Sequence, residues 1–356
     1  MFVSPHGSDA APCSQARPCA GLDRAYGLAR PGTVVYLAGG RYGKQTIEQR
    51  GRRSGPAVSF RPRAGAKVVV SGTLTIRASR LEFRGLTLDD LELPREASHV
   101  TFRNVRDHGI WMEGPSDISY LGGEITCGTC PFHSHLDDGG PPDYRPPRRI
   151  LFDHVFFHDW QAADPGQHTE CLQILSGDGI TIRNSTFKNC GTANGGRGAT
   201  ADLHVSWFGN GPVTRNVLLQ NNFFYPSGNT YAIQMDDYQN VDLRYNSISG
   251  PVIVFDRDGP GTGMDFVGNI MRFAGCSAEN SPVRIHWRYN VLQGGKCGPT
   301  DRNAPSGFVN PASNLHLRRG AAAIGRGDPR LFPGRDIDGQ KRPVGRRPDA
   351  GADERR

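Results

Sequence analysis

A short pattern of apolar residues recurs along the chain and restricts the folds that it can adopt. The pattern is an apolar residue, any residue and a second apolar residue, then two residues that usually include Asn or Gly, then another apolar residue. Its clearest copies occupy residues 100–105, 180–187, 241–248, 264–271 and 285–292. Looser copies begin at Val58, Leu81, Ile118, Ile150 and Val217. Alternation with a period of two predicts a short strand with one buried face, and we expect the Asn or Gly to supply the left-handed backbone of a tight bend.

The distance from one copy to the next varies from 18 to 37 residues. A unit of about twenty residues cannot bury its own apolar face, so neighbouring units have to stack into a continuous core. A leucine-rich repeat needs a fixed frame of Leu and Asn with a helix in each unit, and this sequence has no such frame. Variable spacing is typical of a β-helix, whose coils tolerate insertions at their turns. The pattern therefore predicts one all-β solenoid of about ten coils, in which the 46 Gly and 26 Pro residues serve the turns.

Both ends of the chain carry further motifs, at residues 2–9, 22–29 and 31–42 and at residues 336–343 and 348–354. Together with the repeat, they resemble the motifs of secreted bacterial proteins of the pectate-lyase-like superfamily over almost the whole chain. The resemblance implies a right-handed parallel β-helix solenoid. We predict a single domain with three parts, namely an N-terminal cap with the first strands at 1–50, the coils at 51–310 and an irregular C-terminal cap at 311–356.

The N-terminal cap is predicted to contain a short helix. Leu22, Ala25, Leu28 and Ala29 fall on one face if this segment is helical. Such a helix can cover the open end of the first coil, whose unpaired strand edge would otherwise promote aggregation.

Eight cysteines in a chain rich in loops indicate an oxidising compartment. On this ground we expect a secreted, extracellular protein. Because no signal peptide is visible at the N-terminus, we expect that its leader has been removed. Sequence alone cannot select one connectivity, but the nearest cysteines predict the pairs Cys13–Cys19, Cys127–Cys130, Cys171–Cys190 and Cys276–Cys297. A zinc site is the alternative for one segment, where potential ligands stand at Cys127, Cys130, His133 and His135.

Aligning the strand upstream of each repeat places polar and aromatic side chains in a column on one outward face. Residues 109–113, 171–175, 202–206 and 232–236 share inward apolar positions, and adjacent coils are about 4.8 Å apart. The predicted outward column is Trp111, Gln173, His204 and Gln234. Further candidate residues flank this column: His168, Glu170, Asp202, Trp207, Asp236 and Asp237.

Each member of the column also has a purely structural interpretation. Gln173 and Gln234 can form an amide ladder between coils, and His204 can equally be a structural residue, because histidine is intermediate in its burial preference. The joint occurrence of aromatic, amide, imidazole and carboxylate groups favours a site, since together they make a poor core and suit a sugar ligand. The longest insertions lie around residues 120–215 and include Arg197, and solenoids often carry such insertions on the binding face.

The net charge of +7 favours an acidic partner. The chain has neither a phosphate-binding loop nor a nucleic-acid fold signature, so we expect an acidic polysaccharide and no nucleic acid as its partner. No stretch approaches the ~18 consecutive apolar residues of a membrane helix. We expect a monomer without a membrane span.

The resemblance implies, as the first of three functions, a polysaccharide lyase that cleaves an acidic, uronate-containing glycan by β-elimination. Its catalytic residues would be His204, Asp202 and His168, and its substrate-binding residues Trp111, Gln173, Gln234, Trp207 and Arg197. Calcium is the candidate cofactor, with Glu170, Asp236 and Asp237 as its ligands. The sequence departs from the calcium pectate lyases because it lacks a match to their catalytic arginine motif.

Two other functions stay open at this point. The first is a glycoside hydrolase that uses two of the carboxylates Glu170, Asp202, Asp236 and Asp237 as acid and base. The second is an extracellular protein that binds glycans without catalysis, because a fold alone does not imply activity.

Overall fold

The computed structural model describes residues 1–48, 54–130, 134–140, 144–162, 170–192, 201–206, 211–225, 231–236, 238–255, 262–272, 275–277 and 285–355. These residues form one short helix and thirty strands, 28 of which join in a single network of parallel pairs. In the middle of the chain each strand pairs with the third strand that follows it, so that one coil contains three strands. The expected parallel β-helix is confirmed.

Strands at equivalent positions in the coils form three sheets, A, B and C. Sheet B contains β1 (Phe2–Val3), β2 (Val34–Leu37), β5 (Val58–Pro62), β7 (Ser79–Arg84), β9 (Ser98–Asp107), β11 (Ser116–Cys130), β13 (Arg148–Asp153), β16 (Asp178–Arg183), β19 (Thr214–Gln220), β22 (Tyr238–Arg244), β24 (Thr262–Val267) and β26 (Ile285–Arg288). The ten copies of the repeat begin within the ten strands from β5 to β26. The ends of β9 and β11 continue into sheet C.

Sheet C contains β3 (Gly40–Tyr42), β14 (Phe156–Ala162), β17 (Thr186–Thr192), β20 (Phe223–Phe224), β25 (Ile270–Arg272), β27 (Val291–Gln293) and β28 (Arg302–Asn303). Sheet A contains β4 (Gln45–Glu48), β10 (Ile110–Glu113), β12 (His135–Asp137), β15 (Leu172–Ile174), β18 (Ala201–Val205) and β21 (Tyr231–Asp236). Three strands run through both sheets, namely β6 (Val68–Arg77), β8 (Thr87–Pro94) and β23 (Ser247–Phe255). An antiparallel hairpin of β29 (Phe308–Asn310) and β30 (Asn314–Leu317) follows.

Inward side chains of sheet B stack into an aromatic row within the core. The rings of successive coils are parallel or nearly so, with centroids 4.6 to 5.5 Å apart, in the row Phe60, Phe83, Phe102, Tyr120 and Phe152. All five side chains are at most 1% exposed. Burial of such large apolar surfaces is the main contribution to the stability of the solenoid.

The N-terminal cap contains helix α1 (Leu22–Leu28), as expected. Leu22 and Ala25 face the core, but Leu28 is 44% exposed, so its predicted place on the buried face was wrong. Tyr26 is fully buried instead, and its hydroxyl donates to the carbonyl of Ser79 at 3.0 Å. A ring with a polar tip can fill this position because the tip finds a partner in the first coils.

The tight bends use left-handed backbone, which Asn supplies in some coils only. Asn104 and Asn184 have φ values of 48° and 51°, as expected. In the last coils the left-handed residue stands at the same position of the repeat but is Tyr245, Gly268 or Tyr289, and the asparagine follows it. The expectation was wrong for the asparagines that follow them, because their side chains are buried and bond to one another: Asn246, Asn269 and Asn290.

These side chains belong to a buried asparagine ladder along the bends between sheets B and C. Each Nδ2 donates at 3.0 Å to the Oδ1 of the next residue, in the order Asn222, Asn246, Asn269, Asn290 and Asp301. Each asparagine Nδ2 also donates to a backbone carbonyl, as Asn269 does to Leu243 at 2.8 Å. The ladder therefore satisfies buried polar groups that the bends would otherwise leave unpaired.

Three of the expected disulfides are present, between Cys13 and Cys19, Cys171 and Cys190, and Cys276 and Cys297. Cys127 is also disulfide-bonded. Because a cysteine in a disulfide has no thiolate to bind a metal, Cys127 does not serve as a zinc ligand in this structure.

The tail, residues 304–355, packs on the flank of the last coils. Its apolar residues form a second core with outward side chains of sheet C, including Phe223, Ile270 and Val291. It also bonds to the bends, since Gly351 N–H donates to the Gly268 carbonyl at 2.7 Å and Ala352 N–H donates to Ser247 Oγ at 3.0 Å. A buried carboxyl, Asp349, joins two parts of the tail by accepting from Gly325 and Arg355 N–H groups.

We expect the stability of the tail to depend on pH through Asp349. Burial raises the pKa of this carboxyl to about 6 from its ordinary value of 3.8, although the two N–H donors and Arg342 oppose the shift. A raised pKa means that the stabilising effect of the protonated form is complete below about pH 3.8 and is lost as the pH rises through about 6. The difference in unfolding free energy between the wild type and Asp349→Asn should therefore change over this interval, with the wild type relatively more stable at pH 4 than at pH 7. Denaturant titrations at both pH values measure it, and a difference independent of pH would contradict the expectation.

Candidate functional site

The outward residues of sheet A form one continuous column across seven coils. The strand register places its members opposite one another in the order Thr75, Glu92, Trp111, His135, Gln173, His204 and Gln234. The residues on either side of them in sequence, such as Leu172 and Ile174, are fully buried in the core. The structure therefore brings together the four residues of the expected column, Trp111, Gln173, His204 and Gln234.

His204 lies between an amide and a carboxylate. Its Nε2 is 2.7 Å from Oδ2 of Asp236, and its Nδ1 is 3.3 Å from Nε2 of Gln173. Gln234 Nε2 donates to the same oxygen of Asp236 at 2.8 Å. Asp236 reaches His204 because it stands two residues beyond Gln234, on the same side of the next coil. Four polar side chains thus form one connected cluster, which we call the His204 cluster: Gln173, His204, Gln234 and Asp236.

The partners of His204 determine its tautomer. An ionised Asp236 only accepts hydrogen bonds, so Nε2 of His204 carries a proton. Nδ1 then accepts from the amide of Gln173 when the imidazole is neutral. Nδ1, with its lone pair, is the basic atom of the cluster. Asp236 is placed to stabilise the imidazolium that forms when Nδ1 takes up a proton.

The His204 cluster is shielded from solvent. Gln173, His204, Gln234 and Asp236 are each only 7 to 8% exposed. Oδ1 of Asp236 is buried and has no hydrogen-bond partner among the residues that the structure describes. A buried carboxylate oxygen that lacks a donor is costly to the fold, and a bound ligand or an ordered water can contribute the missing donor.

A groove opens on the same face, on the N-terminal side of the cluster. It has a volume of about 290 Å³, and its lining includes Thr75, Arg77, Glu92, Trp111 and Glu113. The Trp111 Nε1–H donates to Glu113 at 2.7 Å, and the Thr75 hydroxyl donates to Glu92 at 2.8 Å. An aromatic ring held by a fixed polar contact, beside an arginine and two carboxylates, is a suitable surface for a sugar ring with its hydroxyl groups.

His135 connects the groove to the cluster. It lies in the column between Trp111 and Gln173, and its ring centroid is 3.7 Å from that of Trp111. The sequence alignment missed it because β12 lies in an insertion outside the repeat. The signal was present in the alternation of His135, Leu136 and Asp137, where Leu136 is fully buried between two outward residues.

The structure does not bring all of the predicted carboxylates to one place. Glu170 and Asp202 lie on adjacent coils and are both fully buried. Asp202 is two residues before His204, whereas Asp236 is two residues beyond the position opposite His204. Asp202 and Asp236 are therefore offset by four residues along the strands, or about 13 Å, and Glu170 and Asp236 by about 16 Å.

These offsets bear on the candidate calcium site. Calcium takes six to eight oxygen ligands at short distances, so Glu170 and Asp236 cannot bind one ion. The described carboxylates around His204 do not fit calcium, because Asp236 alone is available there and one of its oxygens already accepts from His204 and Gln234. In the described ranges, the His, Cys, Asp and Glu side chains close enough to share an ion lie in the tail, at His316, Asp338 and Asp353.

Four predicted residues, His168, Arg197, Trp207 and Asp237, lie outside the residues that the structure describes. Their proposed roles remain predictions. Among the described residues, no helix is long and apolar enough to cross a membrane.

Comparisons with known proteins support the architecture. The chain is similar to the crystal structure of the pectate lyase Pel9A, with a TM-score of 0.57 and 13% identity over 100% of this chain and 97% of that one. It is also similar to a rhamnogalacturonan lyase, with a TM-score of 0.52 and 11% identity over 96% and 94% of the two chains. No protein-family model matches the sequence, and no curated protein matches it either. Identities this low bear on the fold alone, and on that ground the chain has the right-handed parallel β-helix fold that these lyase structures share.

Proposed function

We propose that this protein is a polysaccharide lyase that cleaves an acidic, uronate-containing glycan by β-elimination. The observation that carries the proposal is the His204 cluster, in which a buried histidine on the outward side of sheet A is oriented by Asp236 and faces an amide donor. Three disulfides fit an oxidising, extracellular compartment, where such polymers are met.

The chemistry requires a base and hydrogen-bond donors close together. In β-elimination a base removes the proton on the carbon next to the uronate carboxylate, a carbon–carbon double bond forms, and the glycosidic oxygen departs with its bonding electron pair and takes up a proton from water. His204 Nδ1 is the base in our proposal, and Asp236 stabilises the resulting imidazolium. Before this proton transfer the amide of Gln173 leaves Nδ1 and donates to the substrate carboxylate, where negative charge develops in the transition state.

An acidic substrate suits the charge of the protein. The net charge is +7, which favours encounter with a polyanion. The two fold neighbours reported above are a pectate lyase and a rhamnogalacturonan lyase, so the scaffold is one on which lyases of this kind occur. That analogy supports the substrate class, and the residues of the His204 cluster carry the mechanism.

The hydrolase alternative is less well supported by the geometry. The two carboxyl groups of a glycoside hydrolase are typically about 5 to 9.5 Å apart, whereas Asp202 and Asp236 are offset by about 13 Å along the strands. Glu170 and Asp202 are closer, but both are fully buried. Neither pair can flank a glycosidic bond as this mechanism requires.

Non-catalytic glycan binding is the second candidate function, and the burial of the His204 cluster favours it. Side chains that are 7 to 8% exposed must become accessible before a glycan carbon can reach Nδ1. The groove lined by Trp111 is open without such a change, so binding there does not require the cluster to open.

Digestion of a glycan panel with analysis of the products tests the proposal. Pectate, alginate and glycosaminoglycans should be incubated with the protein, with and without a metal chelator. We expect unsaturated uronate ends, detected by their ultraviolet absorbance and by a product mass smaller by one water than that of hydrolysis. New reducing ends without unsaturation would establish hydrolysis, and binding without any product would establish the second candidate.

Replacing Trp111 tests the groove as part of the substrate site. We expect Trp111→Ala to raise KM by about tenfold with little change in kcat, because the ring contributes binding energy to the ground state and the transition state alike. Trp111→Phe, which keeps a ring but loses the Nε1–H bond to Glu113, serves as the matched control and should stay near the wild type. An unchanged KM in the alanine variant would place the substrate elsewhere.

A further inference from the structure

The tail buries its acidic residues and exposes its basic ones. Residues 318–355 contain ten Lys and Arg against six Asp and Glu. Five of the six acidic side chains are at most 5% exposed, whereas Arg342 is the one basic residue that is buried. The surface of the tail is therefore far more positive than its composition indicates.

The buried carboxylates are engaged by backbone N–H groups. Asp336 accepts from Asp338, Gln340 and Glu354 N–H, and Glu354 accepts from Val344 and Asp349 N–H. These bonds hold the irregular chain in place, much as helix caps satisfy unpaired donors. The carboxylates are thus not available to neutralise the exposed arginines of the same segment.

Arginines of the tail differ from those of the coils in their pairing with carboxylates. In sheet B, arginines pair with carboxylates of the same or a neighbouring coil, as Arg149 does with Asp117 and Arg183 with Asp153. Within the described residues, Arg326, Arg346 and Arg347 have no carboxylate within ion-pair distance. Side chains of this type without an internal partner are free to bind an external anion in the two-pronged manner of a guanidinium.

These three arginines surround a single cavity. It has a volume of about 580 Å³, and Arg355 also lines it. The one carboxyl in the lining, Asp349, is 3% exposed and accepts from two backbone N–H groups. We call this cavity the arginine pocket, defined by Arg326, Arg346, Arg347 and Arg355.

We propose that the arginine pocket is a second, non-catalytic binding site for an anionic polysaccharide. The tail lies on the flank of the coils, and its hydrogen bonds to the solenoid include those with Asn221, Ser247 and Gly268. It therefore offers a binding surface built separately from sheet A, which carries the His204 cluster. Such a site keeps the protein on a polymer between encounters at the catalytic face, and this advantage follows from effective concentration.

The lining favours a polyuronate over a nucleic acid. Sites for single-stranded nucleic acids combine positive charge with aromatic side chains on which bases stack. The residues around the arginine pocket include Gly, Pro, Val and Ile but no aromatic side chain. Carboxylates of a glycan require only guanidinium donors, which this pocket supplies.

Charge reversal in the pocket tests the proposal. The variant R326E/R346E/R347E is compared with R17E/R30E/R302E, in which three other exposed arginines are replaced with the same change in net charge. Binding to polygalacturonate is measured by affinity electrophoresis and calorimetry at two salt concentrations. We expect the pocket variant to lose affinity by about tenfold or more and the control to lose much less, with the difference shrinking at high salt.

Three further measurements make the result decisive. Thermal unfolding of both variants verifies that they fold. Binding by the His204→Ala variant should equal that of the wild type, so that failure of the catalytic proposal and failure of this one are distinguishable. Equal losses in the two charge-reversal variants would overturn the proposal, and so would tighter binding of single-stranded DNA than of polygalacturonate through the same arginines.

Discussion

His204→Ala is expected to lower kcat on an acidic glycan by about 10²- to 10⁴-fold, which is the usual contribution of a general base. The variant removes the atom that takes the substrate proton, whereas the groove at Trp111 and the arginine pocket remain. Its affinity for the glycan should therefore change little. Rates of formation of unsaturated ends, together with binding isotherms, measure the two quantities on the same substrate.

Three further variants test whether the lower kcat of His204→Ala results from loss of the base. His204→Gln keeps an amide donor beside Asp236 and should be as inactive as the alanine variant, which separates loss of the base from loss of the fold. Asp236→Asn should also lower kcat, because an amide in place of the carboxylate no longer fixes the tautomer or stabilises the imidazolium. His286→Ala, at an exposed histidine paired with Asp265 in sheet B, should retain full activity. A wild-type kcat in the His204→Ala variant would show that His204 is not the catalytic base.

The solenoid could be predicted because the strands of sheet B follow the period-two alternation of apolar residues. All ten copies of the repeat begin within strands of this sheet, and inward and outward residues alternate over the first three residues of a copy, as in β9 and β16. The strands of sheet A are shorter, and β12 and β15 have three residues each. So short a strand carries few alternating positions. Gln173 in β15 was still found because its strand lies directly upstream of a copy of the repeat, whereas His135 was missed because β12 lies in an insertion.

The contacts of the site were harder to predict than its column. A period-two pattern with a fixed coil spacing places Gln173, His204 and Gln234 in line. The pattern does not predict which flanking side chain points toward the column. This direction depends on side-chain rotamers and on the strand register at the ends of the strands. Asp236 was expected to bind calcium, yet it bonds to His204. Glu170 was expected to bind calcium beside it, yet Glu170 lies at the opposite end of the strand register.

The contacts of the asparagine ladder were likewise not predicted from the repeat. They should make a large contribution to the stability of the fold. Asn269→Ala should lower the unfolding free energy by about 3 kcal/mol or more. The side chain accepts from the N–H and the amide of Asn246, and it donates to Asn290 and to the Leu243 carbonyl. Alanine leaves several of these buried groups unpaired, and each such group costs roughly 1 to 3 kcal/mol. The midpoint and slope of urea unfolding measure the change.

Gln293→Ala is the matched control, because it removes an exposed amide side chain from β27 in the next coil and should change stability by no more than about 0.5 kcal/mol. Asn269→Asp keeps the acceptor oxygen but not the donor, so its unfolding free energy should be lower than that of the wild type. This free energy should decrease further as the pH rises and the buried carboxyl ionises. Equal stability of Asn269→Ala and Gln293→Ala would show that the bends between sheets B and C are held by the aromatic and aliphatic core alone. The expected large difference would instead mean that each of these coils is fixed to the next by polar side-chain contacts at the bend.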